Sequence, residues 1–318
     1  MNKNCYSLKE YIFKNPIFNE IEATYIIHLE GNGRLSSIQN QLKKYHPTKK
    51  VYILFNKGFK KCEKNKYINK PPLDLIDAFY TIFRDAYNKN YNNILILEDD
   101  FIFDEEILDK THSENIDFFL KKHNKKKEIY IYYLGAVTYL QTYFGTYHNK
   151  LFLSTGTQSC IYPKLFINYI LDNTNSKDIV DWDIYLNFYY TRYKYYKSLC
   201  YQTFPETENL KYWDMGNKNI KYLVDLSIII KKIIKLDTQP QPGYNIMEES
   251  SKFMFWFIII TLILSILMFY LLIRNKKKMK KYYKNLYLII FLFLFLYPIF
   301  IFCILLFIVY IQSIYYFF

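Results

Sequence analysis

Two long apolar runs near the C-terminus limit what this chain can fold into. Residues 253–273 carry no charged side chain over about the 20 residues a helix needs to cross a hydrocarbon core. Residues 286–311 form a second run at least as long, and Pro298 within it kinks a helix without ending it. Neither run has the polar face that a helix at the edge of a soluble core would carry. The expectation is a pair of membrane spans, a helical hairpin closed by the basic loop 274–285. A soluble fold must then be built from about the first 250 residues, enough for a substantial core.

Charge gives conflicting signals about sidedness. The loop 274–285 is dense in lysine, and by the positive-inside rule it is cytoplasmic, which puts the N-terminal domain across the membrane. Residues 1–20 alternate charged and isolated apolar side chains and lack the apolar core of a signal peptide, so no export signal is read there. On balance the soluble domain is expected on the cytosolic side of a multi-pass anchor. The net charge of +13 would suit a nucleic-acid partner, but the chain is also rich in the residues of A/T-rich codons, with 35 Tyr and 27 Phe against 8 Gly. Much of the lysine excess then reflects composition, and nucleic acid is not the expected partner. The five cysteines are widely spaced and include no C-x-x-C pair, which indicates neither a zinc site nor a disulfide framework.

Periodicity divides the soluble part. Residues 1–22 form an N-terminal segment, 23–215 the main domain and 216–252 a basic, Pro-containing linker. Ala23-Thr-Tyr-Ile-Ile-His-Leu29 reads as a strand, Glu30-Gly-Asn-Gly-Arg34 as a tight turn, and Leu35, Ile38, Leu42 and Tyr45 as one face of a helix. Val51-Tyr-Ile-Leu-Phe55 completes a β-α-β unit. A longer helix is predicted over 73–87. Asn93-Ile-Leu-Ile-Leu97 is apolar without alternation, the pattern of a strand buried on both faces of a parallel sheet. Another such strand is predicted at 129–134, helices at 163–171 and 180–190, and a short edge strand at 199–204.

Chemistry concentrates where the third of these strands ends, in Glu98-Asp99-Asp100. Loops at the carboxyl ends of α/β strands collect ligands. Three adjacent carboxylates repel one another, and a divalent cation between them relieves that cost. Oxygen ligands of this kind suit Mg²⁺ or Mn²⁺, which in turn bridges to a diphosphate. The spacing alone is equally compatible with acids that end a strand and face water. No G-x-S-x-G, H-E-x-x-H or Walker sequence is present, and the five histidines show no metal-ligand spacing, so hydrolase and P-loop readings have no support.

Tyr25-Ile-Ile-His-Leu29 with Arg34 five residues on, the 73–87 helix, Ile94-Leu-Ile-Leu-Glu-Asp-Asp100, and Gly156-Thr157 before Ile161-Tyr162 follow one another in a familiar order. The chain resembles glycosyltransferase family 25, the lipooligosaccharide and collagen galactosyltransferase group, and is similar to its divergent members in large DNA viruses. The likeness covers residues 23–210. It departs from the family on the helix before the acids, where Leu73-Asp-Leu-Ile-Asp-Ala-Phe-Tyr80 replaces a usual Gly-Cys-x-x-Ser-His segment.

That resemblance implies a GT-A-like α/β fold, a Rossmann-type, mostly parallel sheet flanked by helices. It implies a membrane-anchored, metal-dependent hexosyltransferase that inverts configuration. Glu98, Asp99 and Asp100 would hold the metal and, through it, a UDP-sugar donor. Leu29, Glu30 and Arg34 would meet the nucleotide, though Arg34 equally suits a surface carboxylate pair. The acceptor is a hydroxyl on a glycan, protein or lipid. Asp181 and Asp183 are the candidate bases, beside Trp182 as a sugar-stacking ring, with helix capping the alternative for Asp181. Pro205-Glu-Thr-Glu-Asn209 and Trp213 form a further polar and aromatic cluster. The competing expectation is a catalytically degenerate transferase-like domain kept as a membrane scaffold.

Overall fold

The computed structural model describes residues 5–204, 229, 231–238, 241–275, 290–292 and 296. In chain order the elements are β1 (Tyr6–Ile12), β2 (Ala23–Leu29), α1 (Leu35–Lys44), β3 (Lys50–Asn56), α2 (Pro71–Asn88), β4 (Asn93–Glu98) and β5 (Phe101–Phe103). They continue with α3 (Lys110–Lys125), β6 (Tyr130–Tyr133), β7 (Val137–Tyr143), β8 (His148–Thr155), β9 (Ser159–Pro163), α4 (Lys164–Asn173) and α5 (Trp182–Tyr189). β10 (Thr191–Tyr195), β11 (Cys200–Gln202) and α6 (Pro242–Asn275) complete the described chain, with single 3₁₀ turns at Glu105–Leu108 and Ser176–Asp178.

Nine strands form one sheet in the order β1-β3-β2-β4-β9-β6-β10-β8-β7, and β11 pairs with β5 in a small second sheet. The β2-α1-β3 unit and β4 are parallel, as the sequence predicts. The sheet as a whole is mixed and mostly antiparallel, because β1–β3, β4–β9, β9–β6, β10–β8 and β8–β7 all run in opposite directions. This corrects the expected mostly parallel sheet, and the reason is physical. An uninterrupted apolar strand reports burial on both faces, not direction. Helices and loops cover both faces here, so β6 and β9 are wholly buried although they pair antiparallel with each other.

Two apolar layers hold the sheet. On one face α2, α4 and α5 bring Phe79, Phe83, Phe166 and Trp182 against Tyr25, Ile94, Ile96 and Tyr162. On the other, α1 and α3 bring Ile38, Leu42, Ile116 and Phe119 against Ile26, Ile53, Leu95 and Tyr132. α2 starts at two prolines, which are tolerated in a first turn because their missing N–H groups would have no partner there.

The N-terminal segment is part of this domain. β1 lies along the outer edge of β3, and Cys5 is disulfide-bonded to Cys62 with 5.6 Å between the Cα atoms. The bridge corrects the reading that the cysteine spacing indicates no disulfide framework. Cysteines 57 positions apart give no spacing signal, and only the pairing of β1 with β3 brings them together.

The predicted linker also ends earlier than expected. α6 begins at Pro242, eleven residues before the apolar run, and its part from Glu248 to Ile258 packs on β7 and β8. Its stretch Pro242–Leu271 is long and apolar enough to cross a membrane, and its most apolar 18-residue window is 11% buried among the described residues. One such helix is present among the described residues; the second apolar run, 286–311, lies outside them apart from four helical positions.

Candidate functional site

β4 delivers Glu98 to its carboxyl end, and the chain turns immediately through Asp99 and Asp100 into β5. The three neighbouring acids have three different environments.

Asp99 is fully committed to the protein. Its carboxylate accepts hydrogen bonds from the Leu29 backbone N–H at 3.1 Å, Asn32 Nδ2 at 2.5 Å and Arg34 Nη1 at 2.5 Å. His28 Nδ1 stands 3.5 Å away, too far for a firm bond. Burial alone would raise the Asp99 pKa, but the His28 and Arg34 side chains and the Leu29 amide outweigh it and hold the group below its ordinary value. Asp99 therefore locks the β2–α1 turn in place, and its oxygens are not free for a cation. Arg34, expected at the nucleotide, is the partner in that lock. Glu30 is partly exposed, with its backbone N–H donated to Asn56 at 2.8 Å.

Glu98 and Asp100 behave in the opposite way. Glu98 accepts from Thr157 Oγ1 at 2.9 Å and is partly accessible. Burial, followed by the charges of Asp100 and Asp183, raises its pKa well above the ordinary value. Asp100 is 5% exposed and accepts from Gln202 Nε2 at 2.9 Å, while its other oxygen, Oδ1, is buried with no hydrogen-bond partner among the described residues. Burial and the adjacent Asp99 charge push its pKa up to about 6.

Asp183 joins this group from α5. It accepts from the Gly156 backbone N–H at 3.2 Å, and burial pushes it up to about 6 as well. Gly156 has φ +93°, a backbone conformation that favours glycine, and this turns its amide towards Asp183. Asp181, two residues earlier, caps α5 by accepting from the Ile184 N–H at 2.8 Å. The two candidate bases are thereby separated: Asp183 lies with the acids and Asp181 ends a helix. Trp182 between them is 2% exposed, stacks on Phe79 and donates its Nε1–H to Tyr162 at 3.0 Å. It is a core residue and has no face to offer a sugar.

Several contributors lie at positions that no sequence motif marks. Gln202 donates to Asp100, Gln158 accepts the Glu98 backbone N–H on its carbonyl at 3.1 Å, and Tyr244 from the start of α6 places its hydroxyl 3.5 Å from Gln158 Nε2. Arg192 is buried beside them, donating to Ser154 Oγ at 2.7 Å and to the Phe152 carbonyl at 2.9 Å, and its charge lowers the Asp183 pKa. The cluster at 205–209 and Trp213 lies outside the described residues. A cavity of about 430 Å³ between α2 and α4, lined by Tyr80, Arg84, Leu171 and Thr174, belongs to the outer helix layer and touches none of the acids.

Among the described residues no three His, Cys, Asp or Glu side chains are arranged to hold a metal by themselves. Glu98 and Asp100 still suit a cation completed by other ligands. Magnesium and manganese sites commonly take one or two carboxylates and leave the rest to substrate phosphates and water. Burial and mutual repulsion raise the proton affinities of Glu98 and Asp100, and a cation bound between them would lower both.

No family model matches the sequence, and no curated protein matches it. Among solved structures the chain is similar to A197 from STIV, at 15% identity and a TM-score of 0.34, covering 59% of this chain and 87% of that one. A likeness of that degree says nothing about chemistry. The resemblance to glycosyltransferase family 25 rests on the sequence motifs alone.

Proposed function

We propose that the chain is a membrane-anchored, divalent-metal-dependent glycosyltransferase, moving a sugar from a UDP-sugar to a hydroxyl acceptor with inversion. The supporting observation is the electrostatic grouping of Glu98, Asp100 and Asp183 at the end of β4, with one buried Asp100 oxygen that has no hydrogen-bond partner among the described residues. Glu98 and Asp100 would hold Mn²⁺ or Mg²⁺; bound there, the cation offsets the charge on the departing diphosphate. Thr157 fixes the Glu98 carboxylate by donating its hydroxyl. Asp183, raised to about 6, suits the base that takes the proton from the acceptor hydroxyl near neutral pH. Asp99 and Arg34 act one step back, holding the β2–α1 turn that borders the donor position. The anchor is α6, with the apolar run 286–311 as the second span of a multi-pass tail.

The test is equilibrium binding of UDP to the full-length chain in detergent micelles, with Mn²⁺ or with a chelator. Binding should require the cation and should vanish in Asp100→Ala while the variant keeps its circular dichroism spectrum. UDP binding that is indifferent to both would refute the reading. A second reading, a transferase-like domain retained as a membrane scaffold, is favoured by the engagement of Arg34 with Asp99 and by the lack of a complete ligand set among the described residues. Slow Mn²⁺-dependent hydrolysis of a UDP-sugar by the purified chain would eliminate it.

A further inference from the structure

α6 cannot both span a bilayer and keep the sheet clear of it. Its docked half is fixed by a buried ion pair, Lys194 Nζ to Glu248 Oε2 at 2.8 Å, in which the lysine is fully buried and the glutamate nearly so. Asn149 Nδ2 donates to the same carboxylate at 3.3 Å, and Gln141 Nε2 donates to the Glu248 carbonyl at 3.0 Å and to Ser251 Oγ at 2.9 Å. Swinging the helix away would separate this ion pair and break the hydrogen bonds around it together. Further along the same helix, Met254, Phe255 and Ile258 pack against Leu140 and Leu153.

The length of the apolar run then becomes decisive. Residues 253–273 span ~31 Å at 1.5 Å per residue, just matching a hydrocarbon core of ~30 Å. Counted only from residue 259, past Ile258, which still packs against Leu140 and Leu153 of the sheet, the run reaches ~22 Å, which is too short. The first two turns of the span are therefore inside the bilayer boundary while still packed on β7 and β8.

The side chains exposed at that level are the kind that occupies a membrane interface. Tyr143 is 57% exposed and lies under Lys252, the last charge before the run, with the ammonium 5.2 Å from the ring centroid. Phe152 is 41% exposed and stacks on Phe255 at 5.3 Å. Phe144 and Tyr147, on the turn between β7 and β8, are 36% and 41% exposed, Phe144 with one side of its ring packed on Phe119 and Tyr193, and Tyr147 with its ring beside Tyr196. We propose that the β7–β8 hairpin is a second membrane contact, seated by Tyr143, Phe144, Tyr147 and Phe152 in the headgroup layer of the bilayer that α6 crosses.

This proposal rests on the reading of α6 as a span, and its test separates the two. The full-length chain is made in vesicles of phosphatidylcholine with p-benzoylphenylalanine at position 144 or 152, and with the same residue in place of Tyr87, an exposed aromatic on α2, as control. After irradiation, lipid adducts at 144 and 152 should exceed those at 87 at least tenfold. Equal yields in a chain that resists alkaline carbonate would overturn the hairpin contact and leave the span standing. Adducts between two copies of the chain in place of lipid adducts would overturn it too. Extraction by carbonate would refute the span itself.

A separate observation bears on sidedness. The Cys5–Cys62 bridge ties β1 to the loop after β3, and such bridges persist in oxidising compartments. The C-terminal flank of α6 carries seven cations between Arg274 and Lys284, whereas residues 237–252 carry Asp237, Glu248 and Glu249 against Lys252 alone. That asymmetry places the C-terminal flank in the cytoplasm. We infer that the sheet domain occupies the opposite, oxidising side, in place of the cytosolic location expected from the lack of a signal sequence.

Two readouts on intact membrane vesicles test this. After rapid alkylation, Cys5 and Cys62 should be recovered as one disulfide-linked peptide pair, and the domain should resist added protease until detergent is present. Free, alkylated Cys5 and Cys62 together with digestion in sealed vesicles of native orientation would overturn the inference.

Discussion

Replacing Asp100 by asparagine should stabilise the protein while removing its affinity for cation and donor. The side chain is buried and its pKa is pushed from an ordinary 3.8 to about 6, so at neutral pH the fold bears the cost of keeping it ionised. A shift of roughly two units at about 1.4 kcal/mol per unit puts that cost near 3 kcal/mol as an upper value, since neighbouring acids share it. Asparagine has the same shape and its oxygen can still accept from Gln202. For a domain of this size the gain corresponds to a rise in Tm of about 5–10 °C. The sign follows from linkage: the folded state binds the proton more tightly, so wild-type stability falls as pH rises from about 4 to about 6 and levels off above. The variant's advantage should be full at pH 7.5 and nearly gone at pH 4. Urea unfolding of both proteins in detergent, without metal, at several pH values measures this. An Asp100→Asn chain that is less stable at pH 7.5, or equally displaced at all pH values, would refute the account of an uncompensated charge. Added Mn²⁺ with UDP should raise the Tm of the wild type only.

Asp99 should respond in the opposite sense. Its pKa is lowered, so its contribution is present above about pH 4 and is lost as pH falls through the folded value; Asp99→Asn should cost about 3 kcal/mol at neutral pH and flatten the acid-unfolding curve followed by circular dichroism. Asp181→Ala should cost about 1 kcal/mol as a lost helix cap and leave UDP binding intact, whereas Asp183→Asn should keep UDP binding and abolish transfer, as read by a radiolabelled-donor assay. Removing the disulfide with Cys5→Ser and Cys62→Ser should destabilise the domain by about 4 kcal/mol from loop closure, seen as a lower urea midpoint that reductant no longer shifts.

The elements that periodicity marks strongly are those built on two-sided burial or a clean helical stripe. β2, α1, β3, α2 and β4 appear within a few residues of their expected bounds because nearly every apolar position in them faces a core. β1 left no such trace: it is an edge strand with most of its side chains in water, and Lys9 and Glu10 lie in its middle. Sheet direction was not legible either, since β6 and β9 are as apolar as any parallel strand. At the site, the sequence located the acids but not their division of labour. Asp99 faces Arg34 and Asp100 faces inward because adjacent residues in a turn point different ways, and no composition rule says which. Asp183 and Asp181 were separable only once α5 was seen to begin at Trp182, which makes Asp181 the cap. Tyr244 was hidden in a stretch that reads as linker, because its role depends on α6 returning across the sheet to the acids.

The account turns on whether the acids at the tip of β4 take up a cation jointly with a diphosphate. Electron paramagnetic resonance of Mn²⁺ titrated into the full-length chain measures that directly. One tightly held Mn²⁺ per chain is expected when UDP is present, with little held in its absence and none in Asp100→Asn. Free-ion spectra under all conditions, or Mn²⁺ retained equally by the variant, would contradict it.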